Sequence, residues 1–165
     1  MRLFSSWLEA NKLSLHLGKT ESILFGTKIK LKQCNNMSIT CNGEQIKSNS
    51  EIKYLGMYLD QDMSGKTMGN SIIRKVNQGL KFLYSQSKFL VQKEKKMLAS
   101  ALLQPRFDYC CNVWFRSLDK KLKDKLQTAQ NKMIRFVLGE NNRFHVGFKE
   151  FKRLNWLKVA KRVEY

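Results

Sequence analysis

EIKYLGMYLDQDMSGKTMGNSIIRKVNQGLKFLYSQSKFL, residues 51–90, contains the change of rhythm that decides the fold. Its first ten residues alternate. Leu55, Met57 and Leu59 fall on one side of an extended chain, and Tyr54, Gly56 and Tyr58 on the other. A glycine inside a strand marks close backbone approach or a bulge. After Gly69 the period lengthens: Ile72, Ile73, Val76, Leu80 and Leu83 recur at helical spacing. A β segment therefore gives way to a helical one within a few residues.

Upstream, residues 5–12 predict a short helix that Ser5 or Ser6 can cap, followed by extended runs at 13–17 and 21–28 that read as strands or as a loop leading into a strand. Asn42-Gly43, between two alternating runs, is the preferred pair for a tight hairpin turn, since both residues accept positive φ. Residues 20–60 are thus expected to form a small antiparallel sheet. Downstream, Met97, Leu98, Ala101 and Leu102 predict the inward face of a helix closed by Pro105. Residues 106–116 are aromatic-rich and either continue that helix or start another. Residues 119–138 predict the clearest helix, capped by Asp119 and stopped by Gly139, with Leu122, Leu126, Ala129, Met133 and Val137 inward. A last helix is expected over 148–163, with Phe151, Leu154, Leu157 and Val163 inward. The fold class is α+β: a small antiparallel sheet followed by a basic bundle of helices.

The chain carries 31 Lys and Arg against 13 Asp and Glu, a net charge of +18. Residues 1–62 hold 8 basic and 6 acidic side chains; residues 63–165 hold 23 and 7. That step predicts two domains, 1–62 and 63–165, and assigns the electrostatic work to the second. A polycation of this strength points to nucleic acid before an anionic membrane. Arg2 leads into no sustained apolar run, and no stretch approaches the ~20 apolar residues of a membrane span. A soluble intracellular protein, nuclear or cytoplasmic and without a membrane partner, is the expectation. Cys34, Cys41, Cys110 and Cys111 contain no Cys-x-x-Cys pair, and His16 and His145 stand alone. Free thiols are expected, and no metal site.

Lys121, Lys125, Lys132 and Arg135 recur at i, i+4, i+11 and i+14, a row of cations able to follow a phosphate backbone. Lys93, Lys95 and Lys96 form a second cluster at a helix start, where the helix dipole opposes them. Gly18-Lys19-Thr20 lacks the upstream glycine of a phosphate loop. Asp60 and Asp62 are spaced like a metal pair but lack a third ligand, and as turn residues they are commonplace. Residue types and spacing alone lead to a basic nucleic-acid-binding chain without a visible catalytic constellation.

Five ordered blocks carry a resemblance. WLEANKLSLHLGKTESILFGTK (7–28) is similar to the segment that follows the catalytic loop in LINE-type (non-LTR) retrotransposon reverse transcriptases. Trp7, Asn11, Leu13, Leu15, Lys19, Thr20, Glu21 and Phe25 match, while His16 stands where the family usually has asparagine. IKYLGMYLD (52–60) resembles the family's primer-grip hairpin. LLQPRFDYCCNVW (102–114), LQTAQNKMIRFVLG (126–139) and FKRLNWLKVAKRVEY (151–165) resemble its three following blocks.

The resemblance implies the end of a polymerase palm followed by a thumb and its extension. It implies Lys19 near the incoming nucleotide's phosphates as an auxiliary acid, and Tyr54, Leu55 and Gly56 as a primer grip. The basic helices would hold an RNA or DNA template–primer duplex, and the missing upstream palm and fingers would be the protein partner. The family's metal-binding aspartates have no counterpart here. No cofactor is therefore expected in this chain, whereas Mg²⁺ is expected for the intact enzyme, and the chain alone is expected not to polymerise DNA. Two alternatives stand beside this reading: a free-standing basic RNA/DNA-binding module, and a non-functional transposon relic.

Overall fold

The computed structural model describes residues 2–34, 38–41 and 43–164, with side chains from Ser6 onward. The chain forms two compact units, Met1–Ser64 and Gly65–Tyr165. It is α+β as expected, with small sheets followed by a helical region.

The first unit opens with α1 (Arg2–Ala10), which starts ahead of the expected Ser5 or Ser6, so both positions lie inside the helix rather than at its start. Of the two readings for residues 13–17, the loop leading toward a strand holds. The backbone amides of Lys19 and Thr20 turn back onto the carbonyls of His16 and Leu17, closing a 3₁₀ turn at Leu17–Lys19. Only Glu21–Ser22 of the second expected run is a strand (β1). The Thr27 side chain then accepts from Lys30 N at 3.4 Å and starts α2 (Lys28–Gln33), a helix the sequence reading lacked. Next come β2 (Ile39–Cys41) and β3 (Glu44–Ser48), paired antiparallel; of the expected turn, Gly43 has φ +83° and Asn42 lies outside the described residues. β1 lies parallel to β3, so the sheet is mixed rather than antiparallel. After α2 the chain enters the far edge as β2, running opposite to β1, and the tight turn then reverses it into β3, which lies between them and parallel to β1.

β4 (Glu51–Tyr54) and β5 (Met57–Asp60) form a separate two-stranded hairpin. The expected continuous strand is thus folded at Leu55-Gly56. Its pairing places Tyr54 opposite Met57 and Ile52 opposite Leu59. Opposed residues share a face, so Tyr54 lies with Met57, not with Tyr58.

The second unit contains the main core. α3 (Lys66–Ser85) buries Met68, Ile72, Val76, Leu80 and Leu83. A 3₁₀ turn (Ser87–Phe89) leads into α4 (Gln92–Leu102), then the short α5 (Pro105–Asp108) and α6 (Cys111–Trp114). α7 (Lys120–Leu138) packs against α3 and α4. The inward face of α4 is not the predicted one. Met97 is 62% and Leu102 49% exposed, while Ala99 and Leu103 are buried. Gly79 of α3 lies where an added Cβ would approach Leu103 Cδ2 to 2.4 Å, so α3 comes this close to Leu103 only through a glycine. The predicted last helix is broken into α8 (Phe148–Leu154) and α9 (Val159–Arg162) by Asn155, which has φ +54°. Phe151, Leu154 and Val163 are buried as expected, but Leu157 is exposed on the connecting loop and Trp156 takes the inward position.

Candidate nucleic-acid interface

α7 is the scaffold of the candidate surface. Asp119 caps it, its Oδ1 accepting from Leu122 N at 2.8 Å, and Gly139 ends it with φ +75°. Leu122, Leu126, Ala129, Met133, Ile134 and Val137 fill the inward face. Lys121, Lys125 and Lys132 emerge exposed along its flank, and Asp124 is the one acid within the helix. Lys132 Nζ also donates to Asn77 Oδ1 of α3 at 3.5 Å. Arg135 differs from the three lysines. It is half-buried, and its Nε donates to the Phe144 carbonyl at 2.9 Å, fixing the loop after α7. The stripe is three exposed ammonium groups and one guanidinium with a structural hydrogen bond.

The second cluster is divided. Lys93 is exposed. Lys95 is half-buried, and its Nζ lies 5.8 Å from the Phe136 ring centroid. Lys96 is also half-buried. Phe136 in turn meets the Tyr84 ring edge-on at 5.0 Å. Burial pushes the Tyr84 hydroxyl's pKa up, with Arg135 pulling the other way. At the front of α4, Glu94 accepts from Val91 N at 3.0 Å. Lys95 thus sits in a packed aromatic setting.

In the first unit, Lys19 is exposed at the end of its 3₁₀ turn. Tyr54, Leu55 and Gly56 are brought together at the hairpin tip, where Leu55 and Gly56 have φ +46° and +84°. Tyr54 is 58% and Leu55 76% exposed. Asp60 is buried at the base of this hairpin, and its Oδ2 accepts from Ser64 Oγ at 3.1 Å. Asp62 Oδ1 accepts from Ser64 N at 3.1 Å, and its other oxygen lies 3.8 Å from Lys28 Nζ. Both carboxylates have the turn role. Among the described residues no group of three or more His, Cys, Asp or Glu could hold a metal ion. The four thiols are free, with Cys41 buried.

Two polar clasps were not foreseen. Gln130 is fully buried on α7. Its Nε2 donates to the Leu157 carbonyl at 2.8 Å, and its Oε1 accepts from Val159 N at 3.1 Å. Gln127 adds a contact from the same Val159 N–H at 3.2 Å and donates to Asn131 Oδ1 at 2.9 Å. On α9, Arg162 grips Asp108 of α5 through two nitrogens, with Nε to Oδ1 at 2.7 Å, and its Nη1 donates to Gln104 Oε1 at 3.1 Å. These clasps link the blocks at 102–114, 126–139 and 151–165. The available signal was a glutamine inside the apolar arc of a helix, a position that demands a partner.

The whole is an α+β chain whose helical unit bears an exposed cationic stripe on a packed frame. It is similar to the "Probable RNA-directed DNA polymerase from transposon X-element" of Drosophila melanogaster, with 24% identity over 140 residues. That alignment covers 82% of this chain and 15% of the fly protein, so the chain spans about one-seventh of its relative's length. No protein-family profile and no solved structure matches the chain. A distant relation to a retrotransposon reverse transcriptase is what the comparison carries. Among the described residues no helix is long and apolar enough to cross a membrane.

Proposed function

We propose that the chain is the palm end and thumb of a non-LTR retrotransposon reverse transcriptase, and that its helical unit holds a template–primer duplex by its phosphates. The observation that carries this is the charge of that unit: 23 Lys and Arg against 7 Asp and Glu, with Lys121, Lys125 and Lys132 exposed along one helix. Phosphate contacts position a duplex without reading its bases. The exposed tip formed by Tyr54, Leu55 and Gly56 would set the primer's 3′ end, and Lys19 would face the incoming nucleotide's phosphates. Upstream palm and fingers would supply the aspartates that hold Mg²⁺, and the intact enzyme would act inside the cell. The small core of the first unit supports such a partner: among its described hydrophobic residues only Cys41 and Ile46 are buried.

The test is equilibrium binding of the purified chain to RNA–DNA and DNA duplexes across a salt series. The affinity should fall steeply with salt, and K121E/K125E should weaken every sequence alike and flatten the salt slope. A loss confined to one sequence, or no binding at low salt, would overturn the proposal. The chain alone should incorporate no nucleotide in Mg²⁺, since nothing in its sequence matches the family's metal-binding aspartates; template-dependent incorporation would refute that part.

A further inference from the structure

We infer that the corner between α3 and α4 is a stacking platform for single-stranded nucleic acid, separate from the stripe on α7. The inference rests on reading the helical unit as a nucleic-acid binder and adds a second kind of ligand contact to it. KFLYSQSKFL, residues 81–90, contains Lys-Phe-Leu twice, seven residues apart. In the first copy Leu83 is buried and anchors the end of α3, while Phe82 is 63% exposed. In the second, Phe89 is 81% exposed. Tyr84, between them, is less exposed at 44% and meets the Phe136 ring edge-on at 5.0 Å.

The corner that displays the two rings is ordered by its own hydrogen bonds. Ser85 Oγ donates to the Phe82 carbonyl at 2.7 Å, Gln86 Nε2 donates to Ser85 Oγ at 3.2 Å, and Phe89 N donates to the Gln86 carbonyl at 3.0 Å. The 3₁₀ turn bearing Phe89 follows directly on the end of α3. The backbone that carries the two rings therefore needs little ordering on binding.

The surroundings select the ligand. Lys81, Lys88 and Lys93 are all exposed, and no acid occurs from residue 81 to residue 93. Glu94, the next acid, accepts from Val91 N. Exposed phenyl rings among cations with no anion match a polyanion that also offers flat apolar faces. A single strand presents its bases in that way, whereas a duplex hides them inside its stack.

The experiment is fluorescence anisotropy with the full chain, using a labelled single-stranded oligonucleotide of about 12 nucleotides and a blunt duplex of the same length. F82A and F89A should each weaken single-strand binding about tenfold, and leave duplex binding within about twofold. F82L and F89L should lose as much as alanine, because leucine keeps apolar area but has no ring. F82Y and F89Y should restore binding. Leucine variants that bind like wild type would overturn the platform in favour of an apolar protein-docking patch, and equal losses on both ligands would overturn it too. Duplex binding without single-strand binding overturns the platform and leaves the duplex reading standing; binding of neither overturns both. Circular dichroism that matches wild type checks that the surface substitutions leave the fold intact.

Discussion

Leu55 occupies the left-handed region at the tip of the β4–β5 hairpin, a conformation that costs a leucine about 1–2 kcal/mol. Asn-Gly is the pair that this turn favours. Leu55→Asn should therefore steady the hairpin by about 1 kcal/mol, seen as slower hydrogen exchange at the Tyr54 and Met57 amides. If the tip positions a primer, the same variant should also weaken duplexes with a recessed 3′ end more than blunt ones. Unchanged exchange would mean that the strain is relieved some other way. Gln130 is the opposite case, a polar side chain that the core needs. Gln130→Leu takes the partner from the part-buried Leu157 carbonyl and removes one of two acceptors from Val159 N–H, which should cost about 1–2 kcal/mol in urea unfolding. Gln127→Ala should cost less, since that residue is only half-buried. Equal costs would show that the clasp is not centred on Gln130.

At the scale of elements, α8 depends on one carboxylate. Glu150 accepts from Gly147 N at 2.7 Å, and this bond above all holds its carboxyl below the ordinary range, with His145 and Lys149 helping. A lowered folded value means the contribution is present above the unfolded carboxylate range and lost as pH falls through the folded value. Acidification from about pH 6 to about pH 2 should therefore move the Gly147 amide resonance and fray the first turn of α8. Glu150→Gln keeps a capping side chain and should remove this titration at Gly147. α7 was legible because Asp119 and Gly139 bracket an unbroken 3.6-residue pattern. The face of α4 was not, because pattern reading counts Met97 and Leu102 as inward and Lys95 as outward. A lysine stem can lie along an apolar surface while its ammonium sits over a ring, and small Ala99 leaves room for α4 to approach. Spacing alone did not show the β4–β5 hairpin, for a different reason. The two-residue turn flips the parity, so Ile52 and Tyr54 share a face with Met57 and Leu59, and the apolar Leu55 at the tip hides that switch from a period-two reading. Among the candidate cations, spacing identified the exposed Lys121 and Lys125, but it could not distinguish them from Arg135, whose partner is the distant Phe144 carbonyl.

For the whole molecule, burial is as unequal as charge. Among the described residues, two buried hydrophobic side chains lie in the first unit and twenty-four in the second. Local stability follows buried apolar contact. Limited trypsin digestion should therefore cut the lysines of residues 1–64 well before those of 65–165, although the second unit offers far more cleavage sites. Mass spectrometry of the surviving fragment decides it; survival of both units alike would mean that the first is held by something other than its own core. Added duplex should protect Lys121 and Lys125 in the same digest, if the helical unit is the gripping part.

The clasp at Gln130 has one more effect, on how the molecule can drift in sequence. The buried amide touches only main-chain atoms of the loop, the Leu157 carbonyl and the Val159 N–H, while Leu157 and Lys158 themselves are exposed. Every amino acid supplies a carbonyl, and every one but proline an N–H. Loop geometry is therefore pinned while the identities at 157 and 158 are left open. That end of the chain can change its outer surface, and what it meets there, without disturbing the core.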